Sequence, residues 1–256
     1  MNSNEKERFD ELWRVMQRLR KECPWDKEQT HDSIKAATLE ETYEAVEAID
    51  NKDYDALRDE LGDMLLHIVF HSVIAEENNE FKLTDVIKGI TEKLIRRHPH
   101  IFGDVKVKDS KEIEKNWEAI KLQEGKKSLL EGVPKSLSSL LRAYRIQEKA
   151  SKIGFDWEKK EDVWVKVEEE LKEFKEAEQS GDMERTEEEL GDLLFSLVNY
   201  SRFLKINPEN ALRRANDKFI KRFSYVEEKI NSSGNNLVNA TLEEMDKFWE
   251  ESKKQL

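Results

Sequence analysis

At 256 residues the chain has room for one large domain or two small ones. Its net charge of -12 argues against a nucleic-acid binder, its single cysteine excludes an intrachain disulfide, and its apolar stretches are too interrupted to cross a membrane. Only 9 Gly and 4 Pro, beside 39% charged and 37% hydrophobic residues, point to an all-α protein with enough apolar content for a core. The N-terminus, MNSNEKERFDELW, has no apolar core of signal-peptide type, so a soluble cytoplasmic protein is expected.

Phe9, Leu12, Val15, Met16 and Leu19 recur at helical spacing and predict a first helix over about residues 5–21. Cys23-Pro24-Trp25-Asp26 should end it, because proline cannot continue the hydrogen-bond ladder. Further helices are predicted over about 33–49, 54–77 and 84–97, with Asn51-Lys52-Asp53 as a turn, and a fifth around Trp117. Residues 124–136 combine charge, Gly and Pro without apolar periodicity, and they read as a linker between domains 1–123 and 137–256. Beyond it, helices are predicted over about 137–153, 163–179, 185–205, 208–230 and 242–254.

The second half repeats the first. Glu40-Glu41-x-x-Glu44 is followed after fifteen residues by Glu60-Leu61-Gly62-Asp63, and Glu169-Glu170-x-x-Glu173 after fifteen by Glu189-Leu190-Gly191-Asp192. These blocks lie 129 residues apart; Lys93 and Arg97 precede Lys218 and Arg222 by 125, and Trp117 precedes Trp249 by 132. The offset changes only in predicted loops, as a duplicated helical domain would drift.

The placement of the acids is what asks for chemistry. Val163, Val167, Glu170, Phe174 and Ala177 form one helix face, with Glu170 in the middle of an apolar line. Glu189 and Asp192 are among the few charges of a leucine-rich helix, and fifteen residues suffice for a turn and an antiparallel return. Carboxylates brought that close must protonate or bind a cation, and an all-oxygen set favours Mg²⁺ or Mn²⁺ over zinc. Glu170, Glu173, Glu189 and Asp192 are therefore the candidate ligands, and Glu41, Glu44, Glu60 and Asp63 form a second such set. Neighbouring Glu168, Glu176, Glu178, Glu187 and Glu188 read as solvated helix faces.

Cations accompany the second copy. Lys166 sits one turn before Glu170, Arg185 begins the Asp192 helix, and Lys218, Lys221 and Arg222 share little more than one turn. Basic groups beside a Mg²⁺ cluster suit a polyphosphate, although Lys221 taken alone reads as a surface residue. Trp249 either stacks on a nucleobase or packs as an ordinary aromatic. The first copy has Ala37 and Ala56 in place of Lys166 and Arg185, so the second is expected to be the main catalytic site. His67 and His71 extend the Asp63 face, where the second copy has Ser196 and Tyr200. A zinc site is conceivable there, but satisfied core histidines are the favoured reading.

The acid spacing resembles that of the all-α nucleoside triphosphate pyrophosphatases. Cys23-Pro24-Trp25-Asp26, Thr38-Leu39-Glu40-Glu41-Thr42-Tyr43-Glu44, Arg96-Arg97-His98-Pro99-His100 and Gly154-Phe155-Asp156-Trp157 are similar to the two-domain MazG family, over essentially the whole chain. The resemblance implies tandem helical domains in a homodimer and Mg²⁺-dependent hydrolysis of NTPs to NMP and pyrophosphate. It also implies metal ligands at Glu170, Glu173, Glu189 and Asp192, and nucleotide contacts at Lys166, Glu169, Arg185, Lys218, Lys221, Arg222 and Trp249. Glu169 is the expected general base. Where relatives carry lysine this chain has Arg185, a fork in place of a point charge.

A narrower preference for dUTP or dCTP and a non-catalytic acidic interaction module are the competing readings. A di-iron bundle needs Glu-x-x-His on two helices, and the chain has one such motif, Glu28-x-x-His31. A prenyl-transfer enzyme would carry Asp-Asp pairs, and none occurs here.

Overall fold

A computed structural model describes residues 3–109, 112, 113, 116, 117, 120 and 128–255. Among these there is no strand, in line with the all-α expectation. They form two compact units, Met1–Lys108 and Asp109–Leu256.

The first unit contains α1 (Ser3–Glu22), α2 (Pro24–Glu28), α3 (His31–Asn51), α4 (Tyr54–Glu77), α5 (Leu83–Arg97) and α6 (Pro99–Phe102). The second contains α7 (Ser139–Ser151), α8 (Lys160–Ser180), α9 (Met183–Phe203), α10 (Pro208–Ser232), a 3₁₀ turn at Leu237–Asn239 and α11 (Leu242–Gln255). The long helices follow the apolar periodicity. The expectation that Cys23-Pro24 simply ends α1 is incomplete: Pro24 opens α2 at a position whose N–H needs no partner. Pro99 opens α6 in the same way. Residues 124–127 of the expected linker, and most of the helix expected around Trp117, lie outside the described residues. Residues after them pack into the second unit, where the Lys149 ammonium donates to the carbonyls of Leu129 and Glu131 at 3.1 and 3.3 Å.

Each unit is built on a helical hairpin, α3–α4 and α8–α9. Both hairpins turn on two residues. Lys52 or Gly181 adopts the left-handed conformation (φ 56° and 74°) and closes the first helix. Asp53 or Asp182 then caps the second, its carboxylate accepting from the N–H of Ala56 at 3.0 Å or Arg185 at 3.2 Å. In the first unit α1 and α5 pack on α4, and Met16, Ile34, Val69, Phe70, Val73 and Ile74 form a filled core. Buried Arg20 of α1 ties the following loop down by donating to Glu77 and to the carbonyls of Asp26 and Gln29. In the second unit α7 packs on α9 and α10, and α10 pairs with α11. No helix among the described residues is long and apolar enough to cross a membrane.

Candidate metal centre

The expected apolar stripe on α8 is present. Val163, Val167 and Ala177 are buried, and Glu170 lies among them at 7% exposure. The hairpin turn returns the chain so that α9 faces this stripe. Carboxylate oxygens of Glu170, Glu173 and Glu189 then lie within 4.8 Å of one another. Asp192 stands outside this tightest group and lines the same cavity as Glu170. Burial, then the neighbouring Glu170 and Glu189 charges, pushes the Glu173 carboxyl above its ordinary value.

Two cations accompany the acids. Lys166 Nζ is 2.6 Å from Glu170 and 2.9 Å from Glu169. Hydrogen bonds to these two carboxylates hold the ammonium proton far more tightly than in a free lysine. Arg185 Nε lies 3.6 Å from Glu189. Lys218, Lys221 and Arg222 are on α10 and Trp249 on α11. The Arg222 guanidinium covers the Trp249 ring at 5.9 Å, and its Nε is buried without a partner. None of these four residues lines the cavity beside the acids.

That cavity, about 470 Å³, is walled by apolar side chains that include Ile146, Val163 and Phe195, with Lys166, Glu170 and Asp192 also on its lining. Gln147 was not expected from the sequence. It is buried, and its Nε2 donates to the Phe195 carbonyl at 2.8 Å. A carbonyl can only accept, so the amide orientation is fixed and Oε1 is the atom left buried without a partner. Asn199, also buried on the wall, accepts at its Oδ1 from Arg202, whose guanidinium also grips Asp156 and so ties the Gly154–Trp157 loop to α9. These partners lie 46 to 48 residues apart, beyond any local sequence signal, although Asp156 belongs to a stretch already singled out.

In the first unit Glu41, Glu60 and Asp63 converge within the same 4.8 Å limit, and the Glu44 carboxylate lies beside Glu60. Burial, followed by the nearby acids, raises the pKa of both Glu41 and Glu60. The place of Lys166 is taken by Ala37, and His67 Nε2 lies 3.8 Å from Glu41. His67 and His71 both bond to Thr38 Oγ1, at 3.0 and 3.2 Å, so they are satisfied inside the fold as favoured. Burial lowers the pKa of both rings.

Comparison with known proteins gives a family. The model of the MazG nucleotide pyrophosphohydrolase domain matches the chain twice, at residues 29–102 and 159–226. The chain is 49% identical to the nucleoside triphosphate pyrophosphohydrolase/pyrophosphatase MazG of Thermotoga maritima, across 96% of this chain and 95% of that one. It is 43% identical to the nucleoside triphosphate pyrophosphohydrolase of Escherichia coli K12, across 96% and 97%. It is 50% identical to the uncharacterized protein YabN of Bacillus subtilis, across 90% of this chain and 48% of that one.

Proposed function

The chain belongs to the MazG nucleotide pyrophosphohydrolase family, and from that premise we propose how its second unit cleaves a nucleoside triphosphate. It is a hydrolase of phosphoric anhydrides: water attacks the α-phosphorus, the α–β bridging bond breaks, and NMP and pyrophosphate leave. The observation that carries the assignment is the convergence of Glu170, Glu173 and Glu189 beside Lys166 and Arg185, next to an apolar cavity.

The donor set fits a hard divalent cation. It offers carboxylate oxygen alone, in a group small enough to share one ion, so Mg²⁺ is the proposed cofactor and Mn²⁺ its substitute. Glu170, Glu173 and Glu189, joined by Asp192, would hold it. When bound, such an ion supplies Lewis acidity toward the phosphate oxygens and makes a coordinated water easier to deprotonate. The remaining work falls to side chains. Lys166 and Arg185 take phosphate charge, and Glu169 accepts the proton of the attacking water. The nucleobase enters the cavity, where a donor on its edge meets Gln147 Oε1. Lys218, Lys221, Arg222 and Trp249 complete the nucleotide contacts.

Leu190, Leu194 and Leu197 form an exposed stripe along α9, which supports a homodimer. The first unit binds metal and hydrolyses weakly, or serves assembly. The net charge of -12 supports a nucleotide, not a nucleic acid, as the partner, in a cytoplasmic role on the nucleotide pool. The test is pyrophosphate release from canonical, deoxy and oxidised NTPs, with and without Mg²⁺. Release that requires Mg²⁺ is expected; none from any NTP would overturn the reading. Full turnover by Glu169→Gln at saturating Mg²⁺ would remove that residue from its role.

A further inference from the structure

We propose that Gln147 sets base specificity: with Asn199 it reads the edge of the base that enters the cavity, so that bases keeping an N–H beside a lone-pair acceptor are cleaved and bases alkylated or stripped there are rejected. This rests on the second unit being the site that takes the base, and it adds what that site selects.

Size gives the cavity little selectivity. Its volume of about 470 Å³ lies within the roughly 300–1,000 Å³ of small-molecule sites, so purine and pyrimidine both find room. Its apolar walls bury any flat ring alike. Selection therefore falls to polar groups on the lining, and most of those are already engaged. Lys166 is held by Glu169 and Glu170, and Asp192 stands with the acids. Ser196 gives its hydroxyl to the Leu193 carbonyl at 2.8 Å, and Arg202 is spent on Asp156 and Asn199. The amides of Gln147 and Asn199 remain.

Both amides are locked, in opposite senses. Gln147 Nε2 donates to the Phe195 carbonyl at 2.8 Å, which leaves Oε1 buried without a partner. Asn199 Oδ1 accepts from Nε and Nη2 of Arg202 at 3.2 and 2.9 Å. A guanidinium can only donate, so the oxygen end is fixed there and Nδ2 is the end left over. Turning Gln147 over would set acceptor against acceptor, and turning Asn199 over would set donor against donor. Gln147 therefore has only an acceptor to offer, and Asn199 only a donor. At 8% and 6% exposure, neither side chain can replace a missing partner with bulk water.

Such a pair matches an edge on which an N–H stands next to a lone pair. Adenine has it at N6–H and N1, cytosine at N4–H and N3, guanine at N1–H and O6, uracil at N3–H and O4. Loss of the adenine amino group, or methylation of uracil N3, removes the donor and leaves Gln147 Oε1 unpaired under a bound base. In the first unit Phe70 stands where the second has Asn199, packed in a filled core, so the pair is not repeated there.

The test is kcat/KM for pyrophosphate release with Mg²⁺, by wild type and Gln147→Met, on two substrate pairs. One pair is ATP and purine riboside triphosphate, which lacks the amino group; the other is UTP and N3-methyl-UTP. Wild type should favour ATP and UTP by about tenfold to a hundredfold, the cost of one buried group left unpaired. Gln147→Met should bring both preferences within about threefold. Each preference is a ratio taken on one preparation, so the folded fraction cancels. Equal values within either pair in wild type overturn the proposal, as do preferences that Gln147→Met leaves intact. If the variant is too damaged to assay, the wild-type pairs decide. No release from any of the four by wild type would instead remove the pyrophosphatase assignment beneath it.

Discussion

The two hairpins carry the same four acids at the same spacing and use them differently. In α8–α9 the tight group is Glu170, Glu173 and Glu189; in α3–α4 it is Glu41, Glu60 and Asp63. Lys166 and Arg185 balance the second group, whereas Ala37 and Ala56 leave the first without them. The space beneath diverges as well. Where the second unit has Asn199 on a cavity wall, the first has Phe70 at the equivalent place, packed into a filled core. Duplicated acids therefore do not make duplicated surroundings. What distinguishes the copies is the charge around the ligands and the room beside them.

The largest expected effect separates the two copies by activity. Glu170→Gln should lower kcat for pyrophosphate release by at least about a hundredfold, whereas Glu41→Gln should stay within about threefold of wild type. The reverse order would invert the assignment. Lys166→Ala should cost about tenfold to a hundredfold in kcat/KM, the worth of charged hydrogen bonds to phosphate. The reciprocal Ala37→Lys should add no turnover, because Phe70 is packed into the first unit's core where Asn199 lines the second unit's cavity; a gain there would show that charge alone separates the copies.

A subtler contrast concerns pH. Glu41, Glu60 and Glu173 have raised folded-state pKa values, so the folded chain holds protons that the unfolded chain has released. Metal-free stability therefore falls as pH rises from the ordinary carboxylate value of 4.5 through the raised ones. Stabilisation by Mg²⁺ should grow over that same window, because ligation needs the deprotonated acids. Melting curves with and without Mg²⁺ between about pH 4 and 7 measure it. Glu60→Gln should raise the metal-free Tm more than Glu173→Gln, whose environment includes the Lys166 charge; equal effects would deny that difference. The smallest expected effect is at the turns. Lys52→Gly, copying Gly181, should stabilise the first unit by about 0.5–1 kcal/mol in urea unfolding, relief of a left-handed residue offset by added chain entropy.

Much of this was legible in the chain. Periodicity located the long helices, and Glu170 betrayed itself by interrupting Val163, Val167 and Ala177. The short α2 and α6 escaped because Pro24 and Pro99 read as stops, while at a helix's first position proline is a start. The cavity escaped because its walls come from segments between Leu129 and Arg202, brought together only by packing. Gln147 looked like any polar helix residue until Phe195 fixed which end of its amide was left over.

The two-residue turns give the spacing of fifteen a mechanical meaning. Glu173 stands eight residues before Gly181, and Glu189 seven after Asp182; Glu44, Lys52, Asp53 and Glu60 repeat the count. At about 1.5 Å per residue both arms place their acids roughly 11 Å from the bend. The hairpin is thus a folded ruler whose marks coincide only when its arms match. A single residue inserted on either arm would swing that acid by about 100° around its helix and dismantle the centre, with every ligand still present.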